Sequence, residues 1–88
     1  MHVENMKSSR GNLVPNQFII KTGEGEYFQS YQTVIAFKPY SGEVQLDETM
    51  WDCSVTTTRY RSQFPGENTA ETRKRIKAGD YELVDLNN

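Results

Sequence analysis

Strand signals and helix signals occupy different parts of this chain, and that separation constrains its fold more than any other feature. Between residues 17 and 47, β-branched and aromatic residues alternate with polar ones and are interrupted by turn residues. Between residues 52 and 79, this alternation ends. Helix-capping residues appear instead, and apolar residues recur every three or four positions. Strands followed by helices are typical of an α+β domain rather than a parallel α/β sheet.

The first part of the chain predicts an antiparallel meander of three or four strands. A strand over residues 17–22 is followed by a glycine turn at 23–25 and by a β-rich stretch over 26–37. That stretch is either one bent strand or two strands. After a turn at 39–42, residues 43–47 form a further short strand. The alternation places one set of residues on a common face: Tyr31, Thr33, Ile35 and Phe37.

Two short helices and a last strand are predicted after the meander. The first helix runs to about Phe64, with Asp52 or Ser54 as its cap. The second begins at the N-cap Asn68 and ends at Gly79, because glycine suits the left-handed position that ends a helix. We expect the helices to cover one face of the sheet and the final strand, residues 81–86, to rejoin the meander.

With 88 residues, the chain has room for one small domain. Residues 1–14 are mostly polar and predict a flexible N-terminal arm, so we expect the domain to occupy residues 15–88. Four phenylalanines are expected to be buried in its core: Phe18, Phe28, Phe37 and Phe64.

Several kinds of chemistry are disfavoured by composition. The chain has one histidine, His2, and one cysteine, Cys53, too few for a disulfide or a structural zinc site. A catalytic triad would need His2, which lies in the predicted flexible arm. Asp47, Glu48 and Asp52 lack the glycine and the final glutamate of a calcium loop. The sequence predicts no enzyme activity, no metal site and no cofactor. It also predicts no signal peptide and no membrane contact, which together with the single cysteine favours the cytoplasm.

Basic residues are concentrated in the predicted helices, although the net charge is −2. Residues 54–79 hold six Lys or Arg and two Asp or Glu. If the helices pack as a hairpin, these cations and a tyrosine converge in what we call the basic band: Arg59, Tyr60, Arg61, Arg73, Lys74, Arg75 and Lys77. The band is either a surface for an anionic partner or a solvated helix face, and the acidic total speaks against a dedicated nucleic-acid binder.

Aromatic residues in excess of what a small core can bury form a second candidate surface. Tyr31, Tyr40 and Trp51 are the candidates for exposed contacts, because surface Tyr and Trp are frequent in binding hot spots. Core packing is the alternative interpretation for each of them.

A series of spaced residues runs through residues 15–87: Phe28-Gln29-Ser30-Tyr31, Trp51-Asp52, Ser54, Thr56-Thr57, Tyr60-Arg61, Phe64, Glu71-Thr72-Arg73-Lys74, Ile76, Gly79, Tyr81 and Leu86-Asn87. This series resembles a family of small uncharacterised proteins encoded by bacteriophages. The resemblance implies an accessory protein in the cytoplasm of an infected bacterium, and it carries no assigned activity or functional residue.

The sequence therefore supports two functional hypotheses. The first is a non-enzymatic accessory protein that binds a host or phage macromolecule, with a protein as the favoured partner and inhibition of that partner as one outcome. The alternative is a small nucleic-acid-binding module that uses the basic band. Both a monomer and a homodimer are compatible with the sequence.

Overall fold

The computed structural model describes residues 1–8, 10–52, 55–64 and 66–87. It consists of six strands and two helices: β1 (His2–Lys7), β2 (Leu13–Lys21), β3 (Gly25–Ser30), β4 (Thr33–Pro39), β5 (Val44–Asp47), α1 (Val55–Gln63), α2 (Thr69–Ala78) and β6 (Tyr81–Val84).

All six strands lie in one sheet, in the order β1-β2-β3-β4-β5-β6. The first five pair as antiparallel neighbours, whereas β6 pairs with β5 in parallel. A parallel neighbour needs a long crossover, and the two helices between β5 and β6 supply it. The α+β class is confirmed, but the predicted strand number is wrong, because the antiparallel part has five strands rather than three or four.

The additional strand lies where we expected a flexible arm. The arm prediction for residues 1–14 is wrong, because β1 pairs along β2, with Val3 opposite Ile20 and Asn5 opposite Phe18. Gly11, with a φ of 80°, turns the chain between the two strands, and its amide donates to the carbonyl of Ser8. The polar composition that suggested an arm suits an edge strand, which is solvated along one side.

The stretch over residues 26–37 is divided into β3 and β4 by a turn at Tyr31. This residue has a φ of 57°, and its amide donates to the carbonyl of Asn16 at 2.6 Å. An irregularity after Phe28 shifts the register of the two strands, so that Ile35 lies in the core although Phe37 does not. The common face predicted for Tyr31, Thr33, Ile35 and Phe37 is therefore wrong, because alternation fails at a turn and at a bulge.

The core lies between the helices and one face of the sheet. It is formed by Met6, Phe28, Ile35, Ala36, Leu46, Trp51 and Tyr60, with Phe64 and Ile76 packed against it. The ring of Phe64 lies 6.1 Å from that of Phe28, which joins the end of α1 to β3. The predicted cap Ser54 lies outside the described residues.

Local signals define α2. The side chain of its N-cap Asn68 accepts a hydrogen bond from the amide of Glu71 at 2.9 Å. At the other end, Gly79 adopts the left-handed conformation, and its amide donates to the carbonyl of Ile76. Both termini of α2 are confirmed where the sequence predicts them.

Candidate functional site

The sheet face that the helices leave uncovered carries a row of apolar side chains. Cross-strand pairing aligns Val3, Ile20, Tyr27 and Phe37 across four strands. Because side chains alternate between the two faces, this row lies opposite Phe28 and the core. We call this apolar surface the open face. It comprises Val3, which is exposed, and five half-buried residues, Phe18, Ile20, Tyr27, Val34 and Phe37. None of these six belongs to the described core cluster or packs against it.

An aromatic pair lies at the centre of the open face. The rings of Tyr27 and Phe37 stack at 4.2 Å with an angle of 22° between their planes. Phe37 also closes over Gly25, because a Cβ on that glycine would lie 2.9 Å from the ring and 2.5 Å from the carbonyl oxygen of Lys38. The lack of a side chain at Gly25 thus leaves room for the Phe37 ring. Phe18 and Phe37, predicted to be in the core, belong to this second surface instead.

Beyond the aromatic pair, the open face becomes polar and acidic. The same row continues through Gln45 and Glu82, whose side chains lie 3.5 Å apart. The face therefore offers apolar surface next to a carboxylate. Cationic side chains of the basic band lie on the helices and not in this row.

The basic band is divided by the fold. Tyr60 and Arg61, predicted to be on a binding surface, are 7% and 0% exposed. That part of the prediction is wrong, because α1 turns both side chains toward α2 and the sheet. Arg59, on the same helix, is exposed. The seven residues do not form one surface.

Arg61 is held by hydroxyl groups instead of facing a carboxylate. Its guanidinium donates to Thr72 Oγ1 at 2.9 Å and to Thr69 Oγ1 at 2.7 Å, and so joins α1 to the first turns of α2. Burial lowers the pKa of Arg61. A guanidinium nevertheless remains protonated in a protein, so this charge is part of the folded interior.

Glu67 continues this buried network toward β6. Its Oε1 accepts from Thr72 and its Oε2 accepts from Arg75 at 2.6 Å. Burial acts to raise the pKa of Glu67, but hydrogen bonds from Tyr81, Arg75 and Thr72 outweigh it and lower the pKa. Burial and the bond to Glu67 raise the pKa of Tyr81 to about 12. Arg75 is thus already engaged with a carboxylate.

Trp51 is a core residue and not an exposed contact. It is 9% exposed, and two guanidinium groups lie over its ring, that of Arg61 at 5.3 Å and that of Arg73 at 5.1 Å from the ring centroid. Arg73 is fixed over the ring by an ion pair with Asp52. The prediction of Trp51 as a surface aromatic is wrong, because both neighbouring arginines and the core cover it.

The remaining candidates are exposed but dispersed. Tyr31 and Tyr40 are 59% and 64% exposed, and they lie at opposite ends of β4. Within the described residues, no ion pair joins Arg59, Lys74 or Lys77 to a carboxylate. These positions offer single contacts and not a continuous surface.

A groove with an apolar floor lies between α2 and β6. It has a volume of about 270 Å³ and is lined by Trp51, Arg73, Ile76, Lys77 and Leu83. Leu83 is 39% exposed although it lies in a strand. We call this the α2–β6 groove. Sequence reasoning missed it, because its residues come from three separate segments.

Asp47 holds the C-terminal segment against the sheet. Its Oδ1 accepts from the Leu86 amide and from Asn87 Nδ2, and its Oδ2 accepts from the amides of Thr49 and Met50. Burial acts to raise the pKa of Asp47, but these hydrogen bonds outweigh it and lower the pKa. We call this arrangement the Asp47 clasp.

The described part of the chain holds neither a metal-binding cluster nor a membrane-spanning helix. Within residues 1–8, 10–52, 55–64 and 66–87, no three His, Cys, Asp or Glu side chains are grouped so that they could hold a metal ion. In that part of the chain, no helix has the length and apolar character needed to cross a membrane.

Comparison with known proteins identifies a family for this chain. The model of a family described as Family of unknown function (DUF8033) matches residues 1–79. The match spans most of the chain, from β1 through α2, so the chain belongs to this family. No curated protein and no solved structure matches the chain.

Proposed function

We propose that this member of the DUF8033 family is a non-enzymatic module that binds another protein through its open face. The observation that carries the proposal is the row of apolar side chains on the side of the sheet opposite the helices. An uncovered apolar patch rimmed by polar groups is typical of a protein-interaction site. Aromatic residues such as Tyr27 and Phe37 are frequent at the centre of such sites.

The carboxylate of Glu82 beside the open face indicates which charge the partner should carry. Glu82 borders the apolar row on the β5–β6 side. A partner that presents an apolar patch with a neighbouring Lys or Arg complements this arrangement. A nucleic acid does not, because its phosphates would approach a carboxylate and find no cation in the row.

The division of the basic band also favours a protein over a nucleic acid. Arg61 is buried, and Arg73 and Arg75 already pair with carboxylates. An accessory role in the cytoplasm of an infected bacterium is a further part of the proposal and rests on the resemblance to phage-encoded proteins alone.

The test of the proposal compares two pairs of aromatic residues. The first variant carries Tyr27→Thr and Phe37→Thr, which removes the centre of the open face while keeping strand-forming residues. The control carries Tyr31→Asn and Tyr40→Thr, which removes two exposed aromatics outside it. Asparagine is used at position 31 because Tyr31 has a φ of 57°, which a β-branched residue does not tolerate. Circular dichroism and urea unfolding establish that both variants are folded before binding is measured.

Affinity-tagged protein is incubated with bacterial lysate, and bound proteins are quantified for the native chain and both variants. We expect a partner that the native chain and the control retain and the open-face variant loses. With the purified partner, we expect its affinity to fall about 30-fold or more in the open-face variant. A partner retained equally by all three proteins would overturn the proposal.

Two further measurements separate the alternatives. Light scattering after size exclusion should show a monomer, and a dimer that the open-face variant disrupts would mean that a second copy occupies this face. Fluorescence anisotropy with labelled oligonucleotides at about 50 and 200 mM salt should show no binding. Salt-sensitive binding that is lost with Lys74→Glu and Lys77→Glu would favour the nucleic-acid module instead.

A further inference from the structure

We propose that the α2–β6 groove is a second binding site, which takes an extended acidic segment of a partner protein as a seventh strand beside β6. The inference does not rest on the open face, because the groove lies on the helical side of the sheet. It rests on three features: a free strand edge, an apolar floor and the cationic side chain of Lys77 above it.

The strand edge follows from the sheet order and from one hydrogen bond. β6 is the last strand of the sheet. The carbonyl of Val84 accepts from the amide of Glu48, so the backbone polar groups of Val84 point toward β5. Because these groups alternate along a strand, the N–H and C=O of Leu83 point to the free edge. An extended peptide could pair with them, as peptides do when they add a strand to a sheet.

The floor of the groove is suited to a large apolar side chain. Trp51, Ile76 and Leu83 form it, and the volume of about 270 Å³ is sufficient for an aromatic or branched side chain. Leu83 is the apolar residue of β6 that is left exposed, at 39%. An apolar side chain of the added strand would lie beside Leu83 and remove both surfaces from water.

Lys77 above the floor favours an acidic neighbour, whereas Arg73 already pairs with Asp52. Arg73 and Lys77 are four residues apart on α2, so their side chains lie on one side of the helix. Asp52 and the Trp51 ring hold the Arg73 guanidinium in place, while Lys77 has no ion pair within the described residues. A segment with an acidic residue two positions from its apolar residue would carry that residue on the same side of the added strand as Lys77.

The other face of β6, which carries Glu82, determines which residues are favoured at the intervening positions of the added strand. Glu82 projects from the face opposite Leu83, where its side chain lies 3.5 Å from that of Gln45. The intervening residues of the added strand would lie on the same side as Glu82. Lysine or neutral residues are therefore favoured there, and acidic ones are disfavoured. The segment thus alternates acidic or apolar residues with basic or neutral ones.

Two peptides of equal composition test this pattern. The probe has a central phenylalanine, glutamate two positions on either side, and lysine beside the phenylalanine. The control exchanges the glutamates and lysines. We expect the fluorescein-labelled probe to bind the full chain with a micromolar Kd, and the control to bind about tenfold more weakly or worse. Absence of saturable binding by the probe, or equal binding of both peptides, would overturn the proposal.

Two charge-reversal variants on α2 test whether the probe binds in the α2–β6 groove. Lys77→Glu should weaken probe binding about tenfold, because Lys77 lines the groove. The control Lys74→Glu makes the same change of charge elsewhere on α2 and should leave the affinity within about twofold. Equal weakening by both variants would indicate general attraction to a basic helix and would contradict the site.

Strand addition has its own signature. In two further probes, alternate amides carry N-methyl groups, which remove the donors that face β6 in one probe and those that face away in the other. We expect one probe to lose binding and the other to keep it, whereas equal affinities would contradict strand addition. The variant with Tyr27→Thr and Phe37→Thr should bind the probe normally, so failure of the open-face proposal and failure of this one are distinguishable.

Discussion

The two faces of the sheet carry similar side chains and differ in what lies over them. Phe28 and Phe37 are on neighbouring strands, yet Phe28 is fully buried under the helices, whereas Phe37 stacks on Tyr27 outside the core. Composition alone does not distinguish the two faces. In this chain, the position of the helices decides which apolar row is core and which is available for contact.

The largest expected effect comes from truncating one phenylalanine on each face. Phe28→Ala should lower the free energy of unfolding by about 3–5 kcal/mol, because it leaves a cavity under the helices. Phe37→Ala should cost about 1–2 kcal/mol, since its ring is only partly removed from water. Urea unfolding of both variants measures this. Equal losses would mean that something covers the open face in the free protein.

Removing the buried charge of Arg61, which links the two helices, should have the next largest effect on the free energy of unfolding. Arg61→Ala should cost about 2–4 kcal/mol, because it removes the bonds to Thr69 and Thr72 and takes away the guanidinium that donates to both buried hydroxyl oxygens. Arg59→Ala, an exposed change on the same helix, should stay within about 0.5 kcal/mol. Chemical unfolding compares the two. A small effect of Arg61→Ala would show that α1 covers the core without this link.

The Asp47 clasp should make stability depend on acid pH. Asp47→Asn should cost about 1–3 kcal/mol at neutral pH, because an amide cannot accept all four hydrogen bonds. The folded pKa is lowered, so this contribution is complete above the ordinary value of about 4 and is lost as pH falls through the folded pKa.

Urea midpoints measured from about pH 6 downward test the clasp. The urea midpoint of the native chain should approach that of the D47N variant as the pH falls. Glu48→Gln, an exposed change next to Asp47, should give the same dependence of the urea midpoint on pH as the native chain. A constant difference between the native chain and D47N across this range would contradict the prediction.

The smallest expected effect is at the start of α2. Asn68→Ala removes the side-chain cap on the Glu71 amide and should cost about 1 kcal/mol. The cap is exposed and belongs to α2, on the helical side of the sheet. Its loss should therefore leave the open face unchanged, and this face should bind its partner normally. Thermal unfolding measures the loss, with Asn12→Ala in the β1–β2 turn as a control that should have no effect.

Sequence predicted the elements whose signals are local. Asn68 and Gly79 mark α2 because capping depends on a few neighbouring residues. β1 was missed because pairing with β2, and not its own composition, makes it a strand. A polar segment at the edge of a sheet and a polar flexible segment have the same composition.

The candidate sites were less predictable than the fold. Arg61 and Tyr60 were expected on a surface because an arginine inside a small domain is rare, and only the hydroxyls of α2 make its burial possible. The open face was not distinguished from the core, because alternation produces two apolar rows and does not say which one the helices cover. The prediction that the protein binds another macromolecule stays a proposal.

The parallel pairing of β5 with β6 has a consequence for the order in which the chain assembles. β1 to β5 are joined by short turns and can pair as soon as each has left the ribosome. β6 has to wait for both helices, because Tyr81 pairs with Val44, far back in the chain. During synthesis, β5 is therefore a temporary edge strand, and the segment that later covers it must arrive before a neighbouring chain does.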